Sequence, residues 1–155
     1  MVEEAEQPRK RDRPRDELGR PLPWDEENLL EMADFDPLTL DDCHRLGIEY
    51  FNEERFFPAH EAWENAWKRA KGTDEEELFK GLSQLGAGYV HYRRGNLHGA
   101  KTLLRRGMGR VRAYGPERRG IDIAALDAEV ERHAGEVEQA QRDGRPMPEL
   151  VTPKV

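Results

Sequence analysis

The sequence predicts an all-α fold, a compact bundle of five or six antiparallel helices. Three observations predict it. Apolar residues recur three and four apart in several separate stretches. Gly, Pro and Asn stand where those stretches end. No alternation of apolar and polar residues runs long enough to mark a strand.

The elements follow in order. Residues 1–23 are charged and proline-rich, with Arg9, Arg11, Arg13 and Arg15 alternating with Lys10, Asp12, Pro14 and Asp16. Such a stretch has little apolar surface to bury and reads as a flexible arm. Leu18, Pro21, Leu22 and Pro23 are suited to lying extended against the domain. The helical domain is expected over residues 24–145, with an extended tail over 146–155. Asp25 is placed to cap a short first helix carrying Leu29, Leu30 and Met32, which Pro37 ends. Thr39 caps a second helix, with Asp41 and Asp42 in its first turn and Leu40, Cys43, Leu46, Gly47, Tyr50 and Phe51 on its apolar side. The third starts at Phe57 and Pro58 and runs to Lys71, where Gly72 stops it.

Thr73 and Glu76 have the spacing of a capping box and predict the start of a fourth helix. Its apolar line is Leu78, Phe79, Leu82, Leu85, Tyr89 and Tyr92. Gly81, Gly86, Ala87 and Gly88 lower its propensity and point to close approach of a neighbouring helix. After Gly95 and Asn96, a fifth helix carries Leu97, Ala100, Leu103, Leu104, Met108 and Val111. Asp122 caps a sixth with Ile123, Leu126, Val130 and Val137. The spacing of Phe57, His60 and Trp63 recurs at Leu97, Ala100 and Leu103. This gives the bundle a weak tetratricopeptide-like helix-pair character, with too few units for a solenoid.

Charge and cysteine usage narrow the function. The net charge is −7, which disfavours nucleic-acid binding, since that rests on neutralising phosphates. A local cluster of Arg105, Arg106, Arg110 and Arg112 is the one feature on the other side. The single cysteine, Cys43, excludes an intrachain disulfide and any cysteine-pair zinc site, and fits a reducing compartment. The first residues lack the cationic start and apolar run of a signal peptide. No apolar stretch approaches the roughly 18 residues that span a bilayer. The expectation is a cytoplasmic protein with no membrane role.

The stretch Phe56-Phe57-Pro58-Ala59-His60-Glu61-Ala62-Trp63-Glu64-Asn65-Ala66-Trp67 carries the chemistry. On a helix His60 and Glu64 share a face, Trp67 continues it, and Phe57 and Trp63 flank it. Three readings compete. His60 and Glu64 are ligands of a divalent metal ion; or they are an acid–base couple of a small hydrolase-type enzyme; or they are a structural hydrogen-bonded pair in a helical scaffold that binds a protein partner. Glu stands where the zinc-protease pattern HExxH needs its second His, so that motif is absent. Gln84 and His91 on the fourth helix are candidate partners, giving a ligand set of His60, Glu64, Trp67, Gln84 and His91, with His60, Glu64 and His91 as metal candidates. His98 is expected to be exposed or capping, and His44 and His133 to be solvated. Arg93 and Arg94 read as helix-end cations. The partner is a small polar ligand or a protein, and a bundle of this size is compatible with a homodimer.

His60-x-x-x-Glu64-x-x-Trp67, preceded by Phe51-Asn52 and Phe56-Phe57, resembles the bacterial and archaeal family called domain of unknown function 309. Phe79-Lys80-Gly81-Leu82-Ser83-Gln84 and Tyr92-Arg93-Arg94-Gly95-Asn96-Leu97-x-Gly99-Ala100-x-x-Leu103-Leu104 are similar to it as well. The likeness covers about residues 45 to 107. It implies an all-α bundle and a functional role for the HxxxExxW motif at His60, Glu64 and Trp67. It implies no activity, substrate or cofactor.

Overall fold

Five α-helices follow one another among the described residues of a computed structural model, which describes residues 13–155. Arg9, Lys10, Arg11 and Asp12 of the arm lie outside the described residues. Helix α1 (Leu40–Asn52) opens on a capping box: the Thr39 hydroxyl accepts from the Asp42 N–H, and the Asp42 carboxylate accepts from the Thr39 N–H. Helix α2 (Phe56–Ala70) holds Pro58 in its first turn, where the missing N–H costs nothing. Helix α3 (Glu76–Arg93) begins without the expected capping box. Thr73 instead donates its hydroxyl to the Ala70 carbonyl, and the Glu76 carboxylate accepts from the Gly72 N–H. Both side chains are engaged in closing the turn after α2. Asn96 caps α4 (Leu97–Val111) by accepting from the Gly99 N–H, and Asp122 caps α5 (Ile123–Arg142) by accepting from the Ala125 N–H. Between them β1 (Glu117–Arg118) and β2 (Ile121–Asp122) form a two-residue antiparallel hairpin, too short to leave an alternating pattern.

The helix expected from Asp25 does not form. Residues 24–39 contain no helix. Their polar groups are met by the arm: Leu29 N–H donates to the Arg15 carbonyl, and the Asn28 side-chain oxygen accepts from the Arg15 N–H. Trp24, Leu29 and Met32 are exposed, while Leu30 and Phe35 are buried and Leu38 packs half-buried against the core. Without a continuous buried stripe, a helix here would gain little from packing. The segment therefore runs as an extended strap, anchored where the Ala33 N–H donates to the Tyr50 hydroxyl. Ahead of it, Arg15 bridges to Pro21 in antiparallel fashion, and Gly19, at φ +79°, sits against the Phe57 ring where a side chain would collide.

The core lies between α2, α3 and their neighbours. Phe51, Phe56, Trp63 and Tyr89 form an aromatic cluster with ring centroids 5.2–5.6 Å apart. Leu78, Leu82, Leu85, Leu104, Met108 and Val130 continue it towards α4 and α5. The glycines of α3 permit the expected close approach. A Cβ on Gly107 of α4 would stand 2.7 Å from the Gly81 carbonyl oxygen.

Two histidines expected in solvent are buried. His44 accepts from the Trp63 indole N–H at 3.1 Å and donates to the Arg119 carbonyl at 3.0 Å. His133 Nδ1 and the Tyr89 hydroxyl are hydrogen-bonded at 2.8 Å. Each fills a polar gap between helices, which its charged sequence neighbours conceal. The tail over 146–155 has no regular structure and crosses the bundle: Tyr92 bonds to Leu150, Thr152 donates to Glu54, and Asn52 pairs with both the N–H and the carbonyl of Val155.

Candidate functional site

Helix α2 turns His60, Glu61 and Glu64 to one side, at the edge of its packing on α3. Gly86 of α3 makes this approach possible, since a Cβ there would lie 3.0 Å from the backbone of His60. Ser83 of α3 then reaches the imidazole. His60 Nδ1 lies 2.9 Å from the Ser83 carbonyl oxygen and 2.9 Å from its Oγ, and that hydroxyl donates to the His60 carbonyl. A carbonyl oxygen only accepts, so the proton belongs on Nδ1. Nε2 is left facing outward. It stands 3.8 Å from a Glu64 carboxylate oxygen and 4.0 Å from one of Glu61.

One ligand atom from each of His60, Glu61 and Glu64 falls within 4.8 Å of the others, close enough for one metal ion to reach all three. Their side chains are 26%, 28% and 32% exposed, so the group is open to a solute on one side. Burial pushes the Glu61 carboxyl above its ordinary range; His60 opposes this and the Glu64 carboxylate adds to it, while Arg15 and Lys68 pull it down. The three residues line a cleft of about 540 Å³ whose other walls are Arg13, Arg15, Asn28, Leu30, Met32, Phe57 and Lys68.

Not every expected site residue is there. Trp67 does not line the cleft; the ammonium groups of Lys71 and Lys80 lie 5.4 and 5.3 Å from its ring centroid. Gln84 points to α4, where its side-chain oxygen accepts from Arg110 at 3.0 Å. His91 accepts from the Asn96 amide at 3.0 Å and serves the turn between α3 and α4. One position along a helix is a rotation of about 100°, and that step separates Gln84 from Ser83. Glu61 and Ser83 were missed for the same reason: neither falls on the four-residue spacing that singles out His60 and Glu64. Arg13 and Arg15 carried no signal, because strap contacts alone bring them to the cleft.

The arginine cluster on α4 is largely matched by acids. Arg105 pairs with Glu138, Arg110 with Glu77, and Arg112 with Asp127 and Glu131. His98 is exposed, as expected. No helix among the described residues is long and apolar enough to cross a membrane.

Residues 44–103 match the family model described as Domain of unknown function (DUF309). Over that stretch, less than half of the chain, the sequence is similar to the family. Its matched stretch begins in α1, includes all of α2 and α3, and ends within α4. His60, Glu61, Glu64 and Ser83 all fall inside the DUF309 stretch, and Arg13, Arg15, Asn28, Leu30 and Met32 lie before it. No curated protein and no solved structure matches the chain.

Proposed function

We propose that the chain binds a divalent metal ion through His60 Nε2 and the carboxylates of Glu61 and Glu64. One observation carries the reading: the Ser83 carbonyl holds the imidazole proton on Nδ1, so an unprotonated Nε2 converges with two carboxylates on one point. Metal-bound histidines commonly donate their other N–H to a carbonyl or carboxylate, which orients the ring. The partial exposure of all three side chains argues against a purely structural pair, which would be shut away from solvent. Glu61 and Glu64 repel each other without a cation, and a divalent ion turns that cost into attraction. One imidazole and two carboxylates suit zinc or manganese, and three protein ligands leave a position open for water or a solute.

Calorimetric titration of untagged, metal-stripped protein with zinc and with manganese tests this. The expected result is uptake of about one equivalent by the wild type. Affinity should fall at least about 10-fold in folded His60→Ala and Glu64→Gln. His91→Ala should bind like the wild type. No uptake by the wild type, or equal uptake by all four proteins, would refute the proposal.

A further inference from the structure

We infer that the same cleft binds a small oxyanion, a phosphate or carboxylate group, held between Arg13 and Arg15 of the arm and the metal ion on α2. The inference rests on the metal reading and adds the class of solute that fills the open position.

Arg13 and Arg15 flank the buried Pro14 in an extended stretch, where alternate side chains share a side. Both line the cleft together with His60, Glu61 and Glu64. Each guanidinium is aimed by one backbone carbonyl and one aromatic face. Arg13 Nε donates to the Leu22 carbonyl at 2.8 Å and lies 5.5 Å from the Trp24 ring. Arg15 Nη1 donates to the Gly19 carbonyl at 2.7 Å and lies 4.8 Å from the Phe57 ring. A guanidinium has five N–H donors, so most remain for a solute. A planar fork held this way matches the oxygens of a phosphate or carboxylate.

The charge pattern points the same way. Glutamates and aspartates outnumber lysines and arginines in this chain, 32 to 25. Arg105, Arg110, Arg112 and Arg119 each have a carboxylate partner. Arg13, Arg15 and Lys68 have none within salt-bridge distance among the described residues, although all three line a cleft that holds two carboxylates. A divalent ion neutralises those carboxylates and leaves the three cations without counter-charge from the described residues. An anion supplies it. Leu30, Met32 and Phe57 add a small apolar wall, and about 540 Å³ is the size of a small-molecule site. The net charge of −7 disfavours a phosphodiester polymer.

The test uses full-length protein loaded with one equivalent of zinc and no excess, titrated with inorganic phosphate and, separately, with acetate. At least one should bind to the wild type, and which one binds tells phosphate from carboxylate. Affinity should drop at least about 10-fold in the Arg13→Gln/Arg15→Gln double variant, with zinc uptake still near one equivalent. Failure of both anions to bind the loaded wild type, or equal binding by the double variant, would overturn the inference. Zinc uptake in the same samples separates the two failures. Uptake without anion binding removes this inference alone, and no uptake removes the metal reading beneath it too.

Discussion

His60 and His44 lie on neighbouring helices and are assigned opposite tautomers by their partners. The Ser83 carbonyl places the His60 proton on Nδ1 and frees Nε2. For His44 the Trp63 indole N–H occupies Nδ1, so the proton sits on Nε2 and goes to the Arg119 carbonyl. Burial lowers the proton affinity of His44, which keeps it neutral as a hydrogen-bonded spacer. Trp63→Phe leaves His44 Nδ1 buried without a donor and opens a small cavity. Its unfolding free energy in urea should fall by about 2–4 kcal/mol; a loss below about 0.5 kcal/mol would mean that the indole bond contributes nothing. The sequence made His60 and Glu64 visible because four-residue spacing is a property of the helix itself. Ser83 and the burial of His44 depend on which face of one helix meets another, and no spacing within a single helix records that.

At the scale of elements, the Thr39 and Asp122 caps and the glycine stops act within a turn and placed their helix ends closely, while the capping box expected at Thr73 and Glu76 did not form. The segment from Asp25 showed the limit of such signals. Its cap and apolar residues were suitable, yet the Arg15 carbonyl meets the Leu29 N–H and the Asn28 side chain meets the Leu30 backbone in an extended form. The small hairpin β1–β2 was invisible to periodicity, and ion pairs fasten it to the start of α3. Arg119 bonds both carboxylate oxygens of Glu75 at 2.8 Å, and Arg118 donates at 3.1 Å. These hydrogen bonds, Arg119 first, hold the Glu75 carboxyl down at about 2, against an ordinary 4.5. The folded state thus favours the ionised form. The stabilisation is complete above pH 4.5 and is lost as the pH falls from there towards 2. Glu75→Gln should be less stable than the wild type at pH 7, and the two urea midpoints should converge across that acid window. Parallel curves down to pH 2 would show that the pair does not stabilise the fold.

For the whole molecule, the cleft is built from two parts of different origin. The proposed ligands and the helix crossing that positions them lie within the DUF309 stretch, while the arginine side comes from the arm that precedes the strap. The core packing sets the α2–α3 approach at Gly86, and that approach delivers Ser83 to His60. The motif is thereby linked to the fold: a bundle that spread α2 from α3 would lose the tautomer as well as the packing. The central claim is that this arrangement holds a metal ion. Its most direct test is an anomalous difference map from crystals grown with one equivalent of zinc. The account predicts a peak about 2.0–2.2 Å from His60 Nε2 and from an oxygen of Glu61 and of Glu64. Diffraction of adequate quality with no peak beside His60, or with the zinc bound elsewhere, would contradict it.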